Sequence, residues 1–175
     1  MDQSLKSRMM KGGTAIAIAL SFSGYYEGRS LIAYLDPKGI PTICDGVTKG
    51  VHLGDKATPA ECDARTLASM QEAKRIFNQW VPESVRTTMP QISLAMFYDF
   101  IYNTGPGKPG TKDGFVWLTN GSHSTMLRKL QAGDVEGACK EFTNWDRNSW
   151  RGLVKRRAAN RDYCLGALHE QELSR

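Results

Sequence analysis

Glu27, Asp36 and Thr42 stand in one short run from Tyr26 to Thr42, with eight residues between the two acids and five between Asp36 and Thr42. Two carboxyls and a hydroxyl can break a glycosidic bond. One acid protonates the leaving oxygen, while the other stabilises positive charge at the anomeric carbon or activates water. A hydroxyl beside the second acid can hold that water. Taken singly, each residue has an ordinary reading: Glu27 as an exposed helix-end glutamate, Asp36 before Pro37 as the start of an Asx turn, Thr42 as a strand residue. Only the joint spacing makes them a candidate site.

The elements that must position them can be read outward from the run. Ala15 to Tyr26 reads as a first helix that delivers Glu27 at its C-terminal end. The same stretch also looks like an address. Lys6, Arg8 and Lys11 precede fifteen uncharged positions from Gly12 to Tyr26, and Ala19-x-Ser21 and Ser21-x-Ser23 resemble cleavage sites. It falls short of the ~18 to 20 residues that span a bilayer comfortably and is rich in Gly, Ala and Ser, so it makes a weak anchor. Residues 12–26 therefore stay open to three readings: a membrane anchor, a cleaved leader or a packed helix. Asp36-Pro37-Lys38-Gly39 is a strong turn, and Pro41 to Cys44 and Val51 to Leu53 read as strands of a small antiparallel sheet.

Thr58-Pro59-Ala60-Glu61 combines a capping box with proline at the first helical position, placing a helix start at Pro59. The apolar spacing of Leu67, Met70, Ala73 and Phe77 carries it to Trp80, before Pro82. A second helix fits Pro90 to Asn103 and ends at Gly105. From Gly105 to Gly121, dense turn signals bracket Phe115-Val116-Trp117-Leu118 in a hairpin or ordered loop, with Trp117 either lining a cleft or packing on the core. Ser124 caps a helix through Leu130, Asp134 another through Trp145, and a last helix runs from about Trp150 to Leu165, before Gly166.

The chain has 175 residues, 41% of them apolar, enough for one compact domain with a real core. Its formal charge of +5 favours an anionic partner without choosing one. No module or exposed aromatic pattern for nucleic acid is present, so none is expected as a partner. The four cysteines, Cys44, Cys62, Cys139 and Cys164, lack the paired spacings of a zinc site. They fit either two disulfides formed outside the cytoplasm or four buried thiols. No metal and no cofactor is expected.

The run from Glu27 to Cys44, through Glu-Gly, Ala-Tyr-x-Asp and Thr-Ile-Cys, resembles the phage lysozymes of glycoside hydrolase family 24, especially endolysins of phages that infect Gram-negative bacteria. The resemblance covers most of residues 25–165. It implies an α+β, mostly helical, lysozyme-like fold: a small sheet lobe over 27–58, a connecting helix over 59–80 and a helical lobe over 81–175. It implies Glu27 as general acid, Asp36 as charged partner, Thr42 as holder of water, and cleavage of the β-1,4 bond between N-acetylmuramic acid and N-acetylglucosamine with inversion. It also implies disulfides Cys44–Cys62 and Cys139–Cys164. Some relatives use the first segment as a signal-arrest-release element. The enzyme would then be made in the host cytoplasm, tethered to the inner membrane and active in the periplasm, as a monomer on peptidoglycan strands.

Phe100-Ile101-Tyr102-Asn103-Thr104-Gly105 resembles a family element whose amide faces the cleft, which makes Asn103 a candidate substrate contact or simply a C-cap residue. Gly152-Leu153-Val154-Lys155-Arg156-Arg157 resembles a structural C-terminal motif. Two departures stand out: Val47 where many relatives carry His, and Asn160 where they often carry Glu, which puts an inter-helix ion pair in doubt. The loop 106–121 looks like an insertion of about a dozen residues. Arg147, Arg151, Lys155, Arg156, Arg157 and Arg161 crowd fifteen positions without an acid. They read as a solvated helix face or, more sharply, as a contact to lipopolysaccharide or wall through Arg151, Lys155, Arg156 and Arg157. A cationic membrane-active protein and a lytic transglycosylase are the competing functions.

Overall fold

The computed structural model describes residues 13–26, 28–36, 39–146 and 151–174. In chain order it has α1 (Ala15–Tyr26), β1 (Ser30–Leu35), β2 (Pro41–Cys44), α2 (Pro59–Trp80), α3 (Glu83–Arg86), α4 (Gln91–Thr104), α5 (Thr125–Gln131), α6 (Val135–Lys140), a 3-10 turn (Glu141–Trp145) and α7 (Arg151–Leu173). The fold is mostly helical with a two-stranded antiparallel sheet, in which Tyr34 faces Thr42 and Leu35 faces Pro41.

The apolar residues form two clusters. Ala33, Ile43, Val47, Val51, Ala57 and the cystine Cys44–Cys62 fill the small sheet lobe. The larger cluster joins α1, the second half of α2, α4, α5 and α7. The long α2 belongs to both, through Cys62 at one end and Met70, Ala73 and Phe77 toward the other. Its start is fixed by the capping box: Glu61 N–H donates to Thr58 Oγ1 at 3.2 Å, and Thr58 N–H donates to Glu61 Oε2 at 2.7 Å. Helix α4 is buried continuously from Ser93 to Ile101, as its broad apolar surface requires. α1 lies against it, burying Ala15, Ile18, Ala19, Phe22 and Ser23.

Several expectations are corrected. Val51–Leu53 is not a strand, because Gly50 and Gly54 on either side adopt φ of +69° and +92° and turn the chain. The sheet edge is completed two residues later, where Ala33 N–H donates to Asp55 O and Ala57 N–H to Leu31 O. The last helix does not stop before Gly166. It runs on to Leu173, since Ala167 and Leu168 pack on the core and outweigh the ~1 kcal/mol that glycine costs a helix interior. The helix capped by Asp134 ends at Lys140 and continues only as the 3-10 turn.

The 106–121 segment is an ordered loop in which Phe115 and Val116 are fully buried. Its path depends on the crossing of Gly107 and Gly114, where an added Cβ on either would meet the other's backbone at 2.6 Å or less. Trp117 packs on Trp80 and His123, with ring centroids 5.6 and 4.2 Å away. The core reading of that aromatic therefore applies.

Candidate active site

Helix α1 ends at Tyr26. Glu27, the acid that follows it in sequence, lies outside the described residues. Burial raises the Tyr26 phenol above its ordinary value, with Tyr163 adding to the effect, so the side chain before Glu27 stays neutral.

Asp36 and Thr42 lie at the two sides of the β1–β2 turn, and the peptide of Ile40 joins them. Ile40 N–H donates to Asp36 Oδ1 at 2.8 Å, and Asp36 N–H donates back to Ile40 O at 3.0 Å. The Thr42 hydroxyl donates to that same carbonyl at 2.9 Å. Asp36 thus anchors the turn through its side chain four residues on, a longer reach than an Asx turn, while Thr42 is almost fully buried. The turn fixes both side chains at once.

The chain then passes into the wall of a cavity of about 450 Å³ between the lobes. Val47, Thr48 and Lys49 line it from the sheet lobe, Ser69 and Glu72 from α2, and Tyr102 from α4. Asp36 and Thr42 are not among its lining residues; they sit on the hairpin that leads into this wall. Val47, at the position where relatives often carry His, exchanges backbone hydrogen bonds with Ile43 at 2.9 Å in both directions. The wall is apolar at this point.

Behind the cavity, a buried carboxylate ties the lobes together. Arg29 donates to Asp45 through Nε at 2.9 Å and Nη2 at 2.7 Å, and reaches Asp63 on α2 at 2.7 Å. Thr66 on α2 donates to Asp45 at 3.1 Å, and the Tyr102 hydroxyl donates to the Asp45 carbonyl. The Arg29 guanidinium holds the Asp45 carboxyl below its ordinary value, and Asp45 in turn raises Arg29. Neither Arg29 nor Asp45 stands out in the sequence, because the partner on α2 is far along the chain.

The basic stretch of α7 has a different role from the one its charge suggests. Arg156 and Arg157 are buried, not presented to an anionic surface. Arg156 donates to Asp99 on α4 through Nη2 at 2.6 Å and Nε at 3.2 Å, and to Ser23 Oγ on α1 at 3.2 Å. Asn160 donates to Asp99 at 3.0 Å, so a neutral amide, and not an ion pair, links position 160 to α4. A buried cation requires such partners, and Asp99 supplies the charge. The sequence reading missed this pair; a lone acid inside the apolar run Ile92–Ile101 is the signal that could have found it. Arg157 lies 4.6 Å over the Phe100 ring and donates to Asn103 Oδ1 at 2.6 Å. Asn103 is exposed on its helix with its oxygen occupied. Arg151 and Lys155 are exposed. The second disulfide, Cys139–Cys164, joins α6 to α7, so the cystines are the two that the resemblance implies. Among the described residues, no three His, Cys, Asp or Glu side chains are grouped to hold a metal ion.

A small sheet lobe and a helical lobe, joined by one long helix across a cleft, with an acid and a hydroxyl on the sheet-lobe hairpin, define a lysozyme-type fold. Solved structures share it. The active form of P1 phage endolysin Lyz superposes with a TM-score of 0.69 at 21% identity, covering 94% of this chain and 93% of that one. A mutant of P22 lysozyme gives 0.62 at 24%, covering 84% and 94%. The phage lysozyme family profile matches residues 24–160, and the chain belongs to that family. Curated relatives include the SAR-endolysin of Enterobacteria phage PA-2, 34% identical over 164 residues (88% of this chain, 90% of the relative). The SAR-endolysin of Pseudomonas phage phiKMV is 32% identical over 160 residues (87% and 89%).

Proposed function

We propose that this lysozyme is an endolysin that hydrolyses the β-1,4 bond between N-acetylmuramic acid and N-acetylglucosamine in peptidoglycan, with Glu27 as general acid and Asp36 and Thr42 serving the attacking water. The observation that carries the reading is the shared Ile40 peptide, which locks an acid and a hydroxyl into one turn. Thr42 spends its single hydroxyl hydrogen on Ile40 O, so its oxygen is left to accept from water. Water held there turns a lone pair toward the anomeric carbon. Glu27 protonates the leaving oxygen as the C–O bond breaks, water adds from the opposite face, and its proton passes to Asp36. Both carboxyls then return to their starting states by one proton exchange with solvent. Asn103, its oxygen held by Arg157, offers its NH2 to a substrate acceptor.

The curated relatives are named SAR-endolysins, which supports manufacture in the host cytoplasm, transient tethering at the inner membrane through the first segment, and action in the periplasm. No described helix is long and apolar enough to cross a membrane. The tether is therefore assigned to a state of residues 12–26 other than the packed α1.

The test is digestion of purified peptidoglycan by the wild type and Glu27→Gln. The wild type should release new reducing ends at muramic acid, and the variant should fold but clear no wall. Full activity in Glu27→Gln would remove the acid from its role, and 1,6-anhydro-muramyl products would reassign the reaction to a transglycosylase.

A further inference from the structure

We propose that Lys49 makes this enzyme selective for glycan bearing acidic stem peptides, an inference that rests on the muramidase reading above. The interlobe cavity of about 450 Å³ is large enough for a ligand of sugar size. Its walls are Val47, Ile76, Ile101 and the Tyr102 ring, with the hydroxyls of Thr48 and Ser69 among them. These surfaces match neutral N-acetyl sugars. They do not account for the two charges that line the same space, Lys49 and Glu72.

Glu72 is answered within the protein. Arg75 grips both of its oxygens, at 2.7 and 2.6 Å, and this contact holds the Glu72 carboxyl below its ordinary value, with Lys49 across the cavity adding a smaller effect. Lys49 has no ion pair among the described residues, and its side chain is solvent-exposed at the cavity wall. The carboxylate it faces, Glu72, is already gripped by Arg75, so the ammonium keeps its charge for a ligand. In cross-linked wall glycan the lactyl carboxyl of muramic acid is consumed in an amide bond, so the sugars carry no anion. The anions are the free carboxylates of the stem peptide attached to it. A cation on the rim of a sugar-sized cavity is complementary to that peptide and not to the sugar chain.

The experiment is a cycle of two enzymes on two substrates: wild type and Lys49→Met, each on native sacculi and on sacculi whose free peptide carboxyls have been converted to amides. Release of reducing ends gives kcat/KM. A single charge pair at a solvent-accessible site predicts that amidation slows the wild type by about three- to fivefold. Lys49→Met should match, on both substrates, the wild type on amidated sacculi. Lys49→Arg should retain the wild-type preference. If amidation slows both enzymes by the same factor, or neither, Lys49 does not read the peptide charge and the proposal is overturned. Failure of the wild type to release reducing ends from native sacculi would instead overturn the muramidase reading.

Discussion

Replacing one partner of the Asp99–Arg156 pair should unfold the protein far more readily than replacing both. The pair is 0% and 5% exposed at its side chains, and it joins α4 and α7 while Arg156 also reaches Ser23 on α1. Arg156→Met removes the donors at 2.6 and 3.2 Å and leaves Asp99 with Asn160, at 3.0 Å, as its remaining described donor. A buried carboxylate stripped of its counter-charge costs about 3–5 kcal/mol. The double variant Asp99→Leu/Arg156→Met removes both charges of this pair, leaving Arg157 with its own contacts to Phe100 and Asn103. It leaves Ser23 and Asn160 short of partners, a penalty of about 1–3 kcal/mol. Urea unfolding of the oxidised protein, followed by circular dichroism with the m-value checked for constancy, measures all three. A cost below about 1 kcal/mol for Arg156→Met, or a double variant as unstable as the sum of the singles, would refute the claim that this pair organises the three helices.

Three further outcomes follow from the same contacts. Thr42→Ala should lower kcat on peptidoglycan by about tenfold to a hundredfold with little change in KM, and Thr42→Ser should restore most of it; undiminished kcat in the alanine variant would remove Thr42 from water positioning. Because Arg29 lowers the Asp45 pKa from an ordinary 3.8, the pair's stabilisation is complete above that value and is lost as pH falls through the lower folded value. Melting temperatures followed from pH 6 down to about 2 should therefore fall more steeply for wild type than for Arg29→Met, and parallel curves would contradict the assignment. Replacing Cys139 and Cys164 together by Ser opens a link across 25 residues, worth about 3.5 kcal/mol by chain entropy, and equal denaturant midpoints in oxidised wild type and variant would refute that contribution.

What could be read from the sequence was whatever local chemistry dictates. The capping box at Thr58 and Glu61 placed the start of α2, and Ser124 and Asp134 placed the starts of α5 and α6, because a cap is decided by residues within one turn. The hairpin joining Asp36 to Thr42 was legible for the same reason. Long-range partners were not. The arginine cluster of α7 looks like a solvated face until Asp99, 57 residues earlier in the chain, is seen to meet Arg156. Gly166 reads as a stop, and only packing of Ala167 and Leu168 on the core overrides it. Arg29, Asp45 and Tyr102 carry no local signature, since what matters is that β1, β2, α2 and α4 converge on them.

The first segment is where sequence and structure constrain each other most. Its residues are so uniformly apolar that no periodicity marks an inner face; lipid and protein core are alternative places to bury the same side chains. As a helix of 12 residues, α1 is about 18 Å long, well short of the ~30 Å hydrocarbon layer. Its polar groups separate the two environments. In the folded protein, Gln91 Oε1 accepts the Ala15 N–H at 3.0 Å and Arg156 donates to the buried Ser23 hydroxyl. A bilayer offers neither partner. Docking α1 therefore gives its ends partners from α4 and α7 that belong to the folded protein alone. The proposed acid follows α1 directly in the chain, so the proposed tether and the proposed acid share one segment of sequence.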